Sequence, residues 1–180
     1  QQFATFSEMA DLAGQIDRLD RNAPDYASKR DELLSRIVTL QASLSEPIDI
    51  AALDQQLERS SRDEQDPERL RQNRHARAVL AQKKQQKATD QSAVGHCIGR
   101  VSSEYATEGN VAAVADLQAL VDAMDPYIED ESVREQWQAL RSQVQADLGQ
   151  AQLVAAGQTA DPNGDSSTST SRPSVWAQFD

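Results

Sequence analysis

The sequence predicts an all-α protein: an antiparallel, coiled-coil-like helical hairpin, further bundle helices, and a disordered C-terminal tail. Three observations predict it. Apolar residues recur at steps of three and four along most of the chain, which lines them up on one face of a helix. No window alternates with a period of two, the pattern of a half-buried strand. Residues 159–174 hold a single apolar side chain, Ala160, so that stretch cannot bury enough surface to offset the entropy of ordering it.

The first helix is expected after Thr5 and Glu8, which have capping-box spacing, and its stripe is Met9, Leu12, Ile16 and Leu19. Asn22-Ala23-Pro24 breaks the chain, and Pro24 suits the first position of a second helix because its missing N–H costs nothing there. That helix carries Tyr26, Leu33, Ile37, Leu40 and Leu44, with Arg30 in the seam, at the alternating steps of coiled-coil packing. Two such helices with a short link form an antiparallel pair. Residues 1–46 are therefore read as a helical hairpin ending at Pro47.

Residues 47–108 are read as a short helix plus a long one that is basic first and apolar later. Asp49 is the expected cap of the short helix, which carries Ile50, Leu53 and Leu57. Asp66-Pro67 is a clean start for the long one. Its first part has almost no apolar face, only Leu70, Val79 and Leu80, and a helix polar all round is either exposed or held by a partner. From Val94 the stripe resumes through Ile98, Val101 and Tyr105. The helix either runs unbroken to about Ala106 or breaks near Thr89-Asp90 with Asp90 as a new cap; of the two, the break is preferred. Gly109 suits the left-handed stop of a helix.

Residues 109–156 are expected to form a helical pair. Val111, Val114, Leu117, Leu120, Val121 and Met124 mark the first member, and Asp125-Pro126 begins the next segment. Ser132 and Glu135 have capping-box spacing ahead of Val133, Trp137, Leu140, Val144 and Leu148, and the helix should end near Ala156-Gly157. Residues 157–180 are the tail, which finishes in Val175, Trp176 and Phe179. Two rings on a flexible leash read as a docking peptide, folding back on its own bundle or seated on another chain.

Composition narrows the function. Leu, Ile, Val and Phe number 35, about 19% of 180 residues, and half of the eight aromatics lie close to the two ends of the chain. That disfavours a thick aromatic core and an α/β enzyme fold with continuous Val/Ile strands. No apolar run is long enough to span a membrane, and no membrane partner is expected. The net charge is −11, yet Arg59 to Arg100 holds ten bases against five acids. Within it, Arg69, Arg71, Arg74, Arg77, Lys83, Lys84 and Lys87 form a run without an acid. Such a basic helix either pairs with acidic surface of its own molecule or of a second copy, or attracts nucleic acid.

Chemistry-bearing motifs are sparse. Gly95-His96-Cys97-Ile98-Gly99 has the letters of a nucleophile elbow with Cys in place of Ser, but no strand precedes it. Two glycines four apart serve better as a small face admitting a close helix, with Cys97 a small buried group. Asp161-Pro162-Asn163-Gly164-Asp165 opens like a calcium loop but places Ser166 where Gly and Arg172 where Glu are needed. His75, His96 and Cys97 do not share a zinc spacing. No catalytic residue, metal or cofactor is expected.

The reading is thus a non-enzymatic helical adaptor or assembly protein, acting through helix packing and the Val175/Trp176/Phe179 peptide. Its partners would be proteins, a second copy of the chain included, and shell-organising roles of virus or phage type fall in this class. The rival is a nucleic-acid-associated factor using the basic run. The lone Cys97 forbids an internal disulfide and fits a reducing cytoplasm, of a host cell if the protein is viral. The start at Gln1, without Met, is compatible with a processed secreted or periplasmic chain too.

Overall fold

Among the described residues the backbone forms six α-helices and one 3-10 turn, and no strand. The computed structural model describes residues 2–47 and 49–160, with side chains to 157. The tail and its Val175, Trp176 and Phe179 lie outside the described residues. The helices are α1 (Gln2–Asp17), α2 (Tyr26–Ala42), α3 (Ile50–Arg62), α4 (Pro67–Glu108), α5 (Val111–Met124) and α6 (Glu131–Ala160), with the 3-10 turn at Asp125–Tyr127. The chain is all-α.

Several boundaries follow local chemistry. The Asp49 carboxylate accepts the Ala52 N–H at 2.9 Å and so caps α3. Asp66 accepts the Glu68 N–H at 3.1 Å, and Pro67 is the first residue of α4. Gly109 takes φ +71°, which lets the Asn110 N–H reach back to the Tyr105 carbonyl. The Asn110 side chain then caps α5 through the Ala113 N–H at 3.1 Å.

Five expectations need correction. The α1 helix is already running at Gln2, so Thr5 and Glu8 lie inside it and not at its start; the Gln2 amide is tied to Ser45 Oγ and the Glu46 carbonyl. Pro24 sits in the turn, and Asp25 precedes the first helical residue of α2, its carboxylate pairing with Lys29 at 3.2 Å and leaving the helix amides uncapped. Asp130, not Ser132, caps α6: its Oδ1 accepts from the Ser132 N–H at 3.0 Å and from the Ser132 hydroxyl. The α6 helix continues past Gly157 to Ala160, since a lone glycine weakens a helix without stopping it.

The preferred break at Thr89-Asp90 is absent, and α4 is a single 42-residue helix. The Thr89 hydroxyl donates to the Gln85 carbonyl at 3.0 Å within the same helix, and the Asp90 carboxylate takes its hydrogen bonds from the Gln86 and Ser7 side chains in place of backbone amides.

The described residues pack as two compact units, one of residues 2–94 with Met124–Gln136, the other of Gly95–Ala123 with residues 137–160. In the first, α1 and α2 pack on each other and bury Phe6, Met9, Leu12, Ile16, Leu33 and Ile37. Leu34 and Ala13 are buried too, outside the stripes read from the sequence. Phe6 meets Tyr127 edge-to-face at 6.1 Å, and the Tyr127 hydroxyl donates to the Ser45 carbonyl. In the second unit the core is Cys97, Ile98, Val101, Tyr105, Leu117, Leu120, Trp137 and Val144. A Cβ on Gly95 would lie 3.0 Å from the Trp137 ring, and one on Gly99 3.3 Å from Leu140. These two glycines supply the small face that lets α6 approach α4, with the Trp137 indole N–H bonded to the Val121 carbonyl at 3.1 Å.

Candidate protein-interaction surface

Between Ala51 and Gln86, 36 consecutive residues, not one is buried. These residues build a second helical hairpin, from α3 and the first half of α4. Asp54 faces Arg77, Ser61 faces Asn73, and Glu64 faces Arg69. As one partner number rises the other falls, so the two helices run antiparallel. The turn between them is stiffened by Glu64, whose carboxylate accepts the Gln65 and Asp66 N–H groups at 3.1 Å. The Asp66 N–H and then the Arg69 charge hold Glu64 below the usual carboxylate range. Along the seam Arg77 makes two bonds to Asp54, at 2.8 and 3.2 Å. This pairing keeps Asp54 low and Arg77 high.

The root of the hairpin is anchored. Ile50 is buried, its N–H faces Glu129 at 3.4 Å, and Glu129 pairs with Lys87 at 3.2 Å. Lys87 is only 4% exposed in its side chain and also lies 5.4 Å from the Phe6 ring. Beyond that root, among the described residues, the hairpin buries no side chain. Its apolar residues are accordingly left partly wet: Leu53 is 43% exposed, and Leu57, Leu70, Val79 and Leu80 are half-buried. At about 100° per residue, Leu53 and Leu57 of α3 fall on the same side as Ala76, Val79 and Leu80 of α4. Leu53 was legible as part of a helix stripe. Its exposure was not, because nothing within the segment reveals whether another element covers it.

The seven cations of the basic run do not act as one group. Arg69 pairs with Glu64 and Asp66, Arg71 with Glu68 at 2.6 Å, Arg77 with Asp54, and Lys87 with Glu129. Lys83 stands 5.1 Å over the Phe3 ring, while Arg74 and Lys84 are exposed. Arg74 and Lys84, ten residues apart, lie about 80° from each other on the helix, whereas Lys83 points about 180° from Arg74.

Other features place little chemistry together. Cys97 is fully buried, whereas His75 and His96 are exposed. Among the described residues no three His, Cys, Asp or Glu side chains gather as metal ligands, and no helix is long and apolar enough to cross a membrane. An open groove of about 580 Å³ runs beside α4, lined by Ala81, Lys84, Ala88, Ser92, Asp130 and Val133. It meets the start of α6, where the first amides are already taken by Asp130, held low by Ser132. The chain matches no protein-family model, no curated protein and no solved structure.

Proposed function

We propose that this protein is a non-enzymatic helical adaptor or assembly protein that binds other protein chains through the α3/α4 hairpin. The observation that carries the reading is the uninterrupted lack of buried residues from Ala51 to Gln86 in a hairpin that nonetheless holds Leu53, Leu57, Leu70, Val79 and Leu80. Fully burying one such side chain is worth about 1.5–3 kcal/mol, so a partner covering several gains enough to bind. A rigid pre-formed surface also avoids the cost of ordering a flexible one. The Val175, Trp176 and Phe179 peptide belongs to the same proposal as a second attachment point, supported by its sequence alone. A reducing compartment accords with the free thiol of Cys97.

Binding of nucleic acid ranks second, because Arg69, Arg71, Arg77 and Lys87 are engaged within the chain. A photo-crosslinking residue at position 53 of the full chain, compared with one at the exposed Ala115, separates the readings. Protein adducts from position 53 alone are expected in the source cell. Equal yields from both positions, or none, would overturn the hairpin as the binding element. Removing Val175 to Asp180 tests the peptide: unchanged association would remove it from the proposal.

A further inference from the structure

We infer that α3 is a conditional helix: polar contacts latch it to α4, and when they are lost it melts by itself while α4 stays helical. The hairpin surface described above is the latched state. This property belongs to the hairpin itself, whether or not a partner binds there; an acid-sensitive binding surface follows from it only together with the adaptor reading.

Little holds α3 in place. Ile50, its first residue, is its one buried side chain. Beyond it α3 meets α4 through the two bonds from Arg77 to Asp54 and one from the Asn73 amide to Ser61 Oγ at 3.0 Å, with Leu57 half-buried. A segment with few buried apolar contacts opens at low free energy. At 13 residues α3 is also near the length of about 12–15 residues below which a lone helix is marginal in water.

The two helices of the hairpin differ in how they start. A helix that begins alone must form a costly nucleus, whereas one that extends an existing helix gains a hydrogen bond for each residue it fixes. Residues 67–86 extend a stretch of α4 that is held by the buried Val94, Cys97, Ile98 and Val101. By contrast, α3 begins afresh at its Asp49 cap and stops at Arg62, so it nucleates alone. Losing the latch therefore removes α3 and spares α4.

Because the latch is electrostatic, pH governs it. Asp54 faces Arg77 and Lys84 of α4, Arg77 faces Asp54 and Glu58 of α3, and the root charges Lys87 and Glu129 pair with each other. Arg77, with Lys84 adding to it, holds Asp54 below the usual carboxylate range, and the Asp66 N–H and the Arg69 charge do the same for Glu64 in the turn. Their contribution is present above the ordinary carboxylate range and is lost as pH falls through the depressed values. Arg77 is 40% and Asp54 41% exposed, so the pair contributes little in absolute terms. A small contribution is decisive only for a helix that has almost nothing else, and α3 is that helix.

Amide hydrogen exchange of the full chain, resolved helix by helix, tests this. At neutral pH the α3 amides should be at least about tenfold less protected than those of Val94 to Tyr105. Arg77→Gln should lower α3 protection a further two- to fivefold or about that, leaving Val94 to Tyr105 unchanged. Exchanging the charges, Asp54→Arg with Arg77→Asp, should recover most of that loss. On acidification α3 should lose protection before α5 does, and Asp54→Asn with Glu64→Gln should abolish this early response. Amides of α3 as protected as those of Val94 to Tyr105 would overturn the inference. So would an Arg77→Gln chain with α3 unchanged or all helices weakened alike, a charge exchange that recovers nothing, or a wild-type α3 that outlasts α5 in acid. Crosslinking at position 53 tests the adaptor reading separately, so either can fail without the other.

Discussion

The two ends of α4 obey different rules although they belong to one helix. From Val94 to Tyr105 it buries Val94, Cys97, Ile98, Val101 and Tyr105, each 3% exposed or less. From Pro67 to Gln86 it buries nothing. The late part is held by packing; the early part is held by ion pairs, good helix formers such as Arg, Gln, Ala and Lys, and its Asp66 cap. Continuity of the backbone ladder needs no apolar face, only residues that do not interrupt it. What the difference teaches is that a helix can carry fold at one end and an uncovered surface at the other.

The comparison predicts a gradient of mutational cost. Ile98→Ala, in the late part, should lose about 2–5 kcal/mol in urea denaturation, whereas Leu80→Ala in the early part should lose under about 1 kcal/mol. Equal losses would mean the early part is covered after all. Gly95→Ala should cost about 1–3 kcal/mol, because the new Cβ meets the rigid ring of Trp137 at 3.0 Å and not a flexible chain end.

Two carboxylates sharpen the contrast through pH. Asp130→Ala should cost about 1 kcal/mol at neutral pH by uncapping α6. Its folded value is depressed, so this stabilisation is present above the ordinary carboxylate range and disappears as pH falls through the depressed value. Asp90 behaves oppositely. Burial pushes its carboxyl up, with Asp11 adding to the effect and Gln86 and Ser7 opposing it, and its Oδ2 is buried without a partner among the described residues. The ionised form therefore opposes folding at neutral pH, and the penalty fades as pH drops through the raised value. Asp90→Asn should stabilise the protein by about 1 kcal/mol at pH 7, and the advantage should shrink on acidification in paired thermal melts. The smallest effect belongs to Leu53→Glu, whose stability should change by no more than about 0.5 kcal/mol, since the side chain leaves no core behind.

Reading the candidate surface from sequence succeeded in one respect. The scarcity of apolar residues between Leu70 and Val94 indicated a helix that is exposed or held by a partner, and as far as Gln86 none of its residues is buried. Of the two readings of the basic run, pairing with acidic groups of the same chain is seen for Arg77 and Lys87, but a count of cations could not name their partners: Asp54 lies 23 residues from Arg77, and Glu129 lies 42 from Lys87. Asp90 misled for a related reason, its bond from Ser7 of α1 being invisible to any local pattern. Gly95 and Gly99 were correctly taken for a close helix approach, since the absence of side chains is itself the signal.

By itself the amino-acid order determined the helical class, the start of α3 at its Asp49 cap, the start of α4 at Asp66-Pro67, and the stop at Gly109. Each of these depends on groups no more than about five residues apart, so the pattern holds all the information. Only the tertiary structure decided that α4 passes Asp90 without a break, that Lys87 is buried against Glu129, and that none of residues 51–86 is buried. Those outcomes depend on which distant side chains arrive, or fail to arrive, at a given face, and no local spacing encodes that.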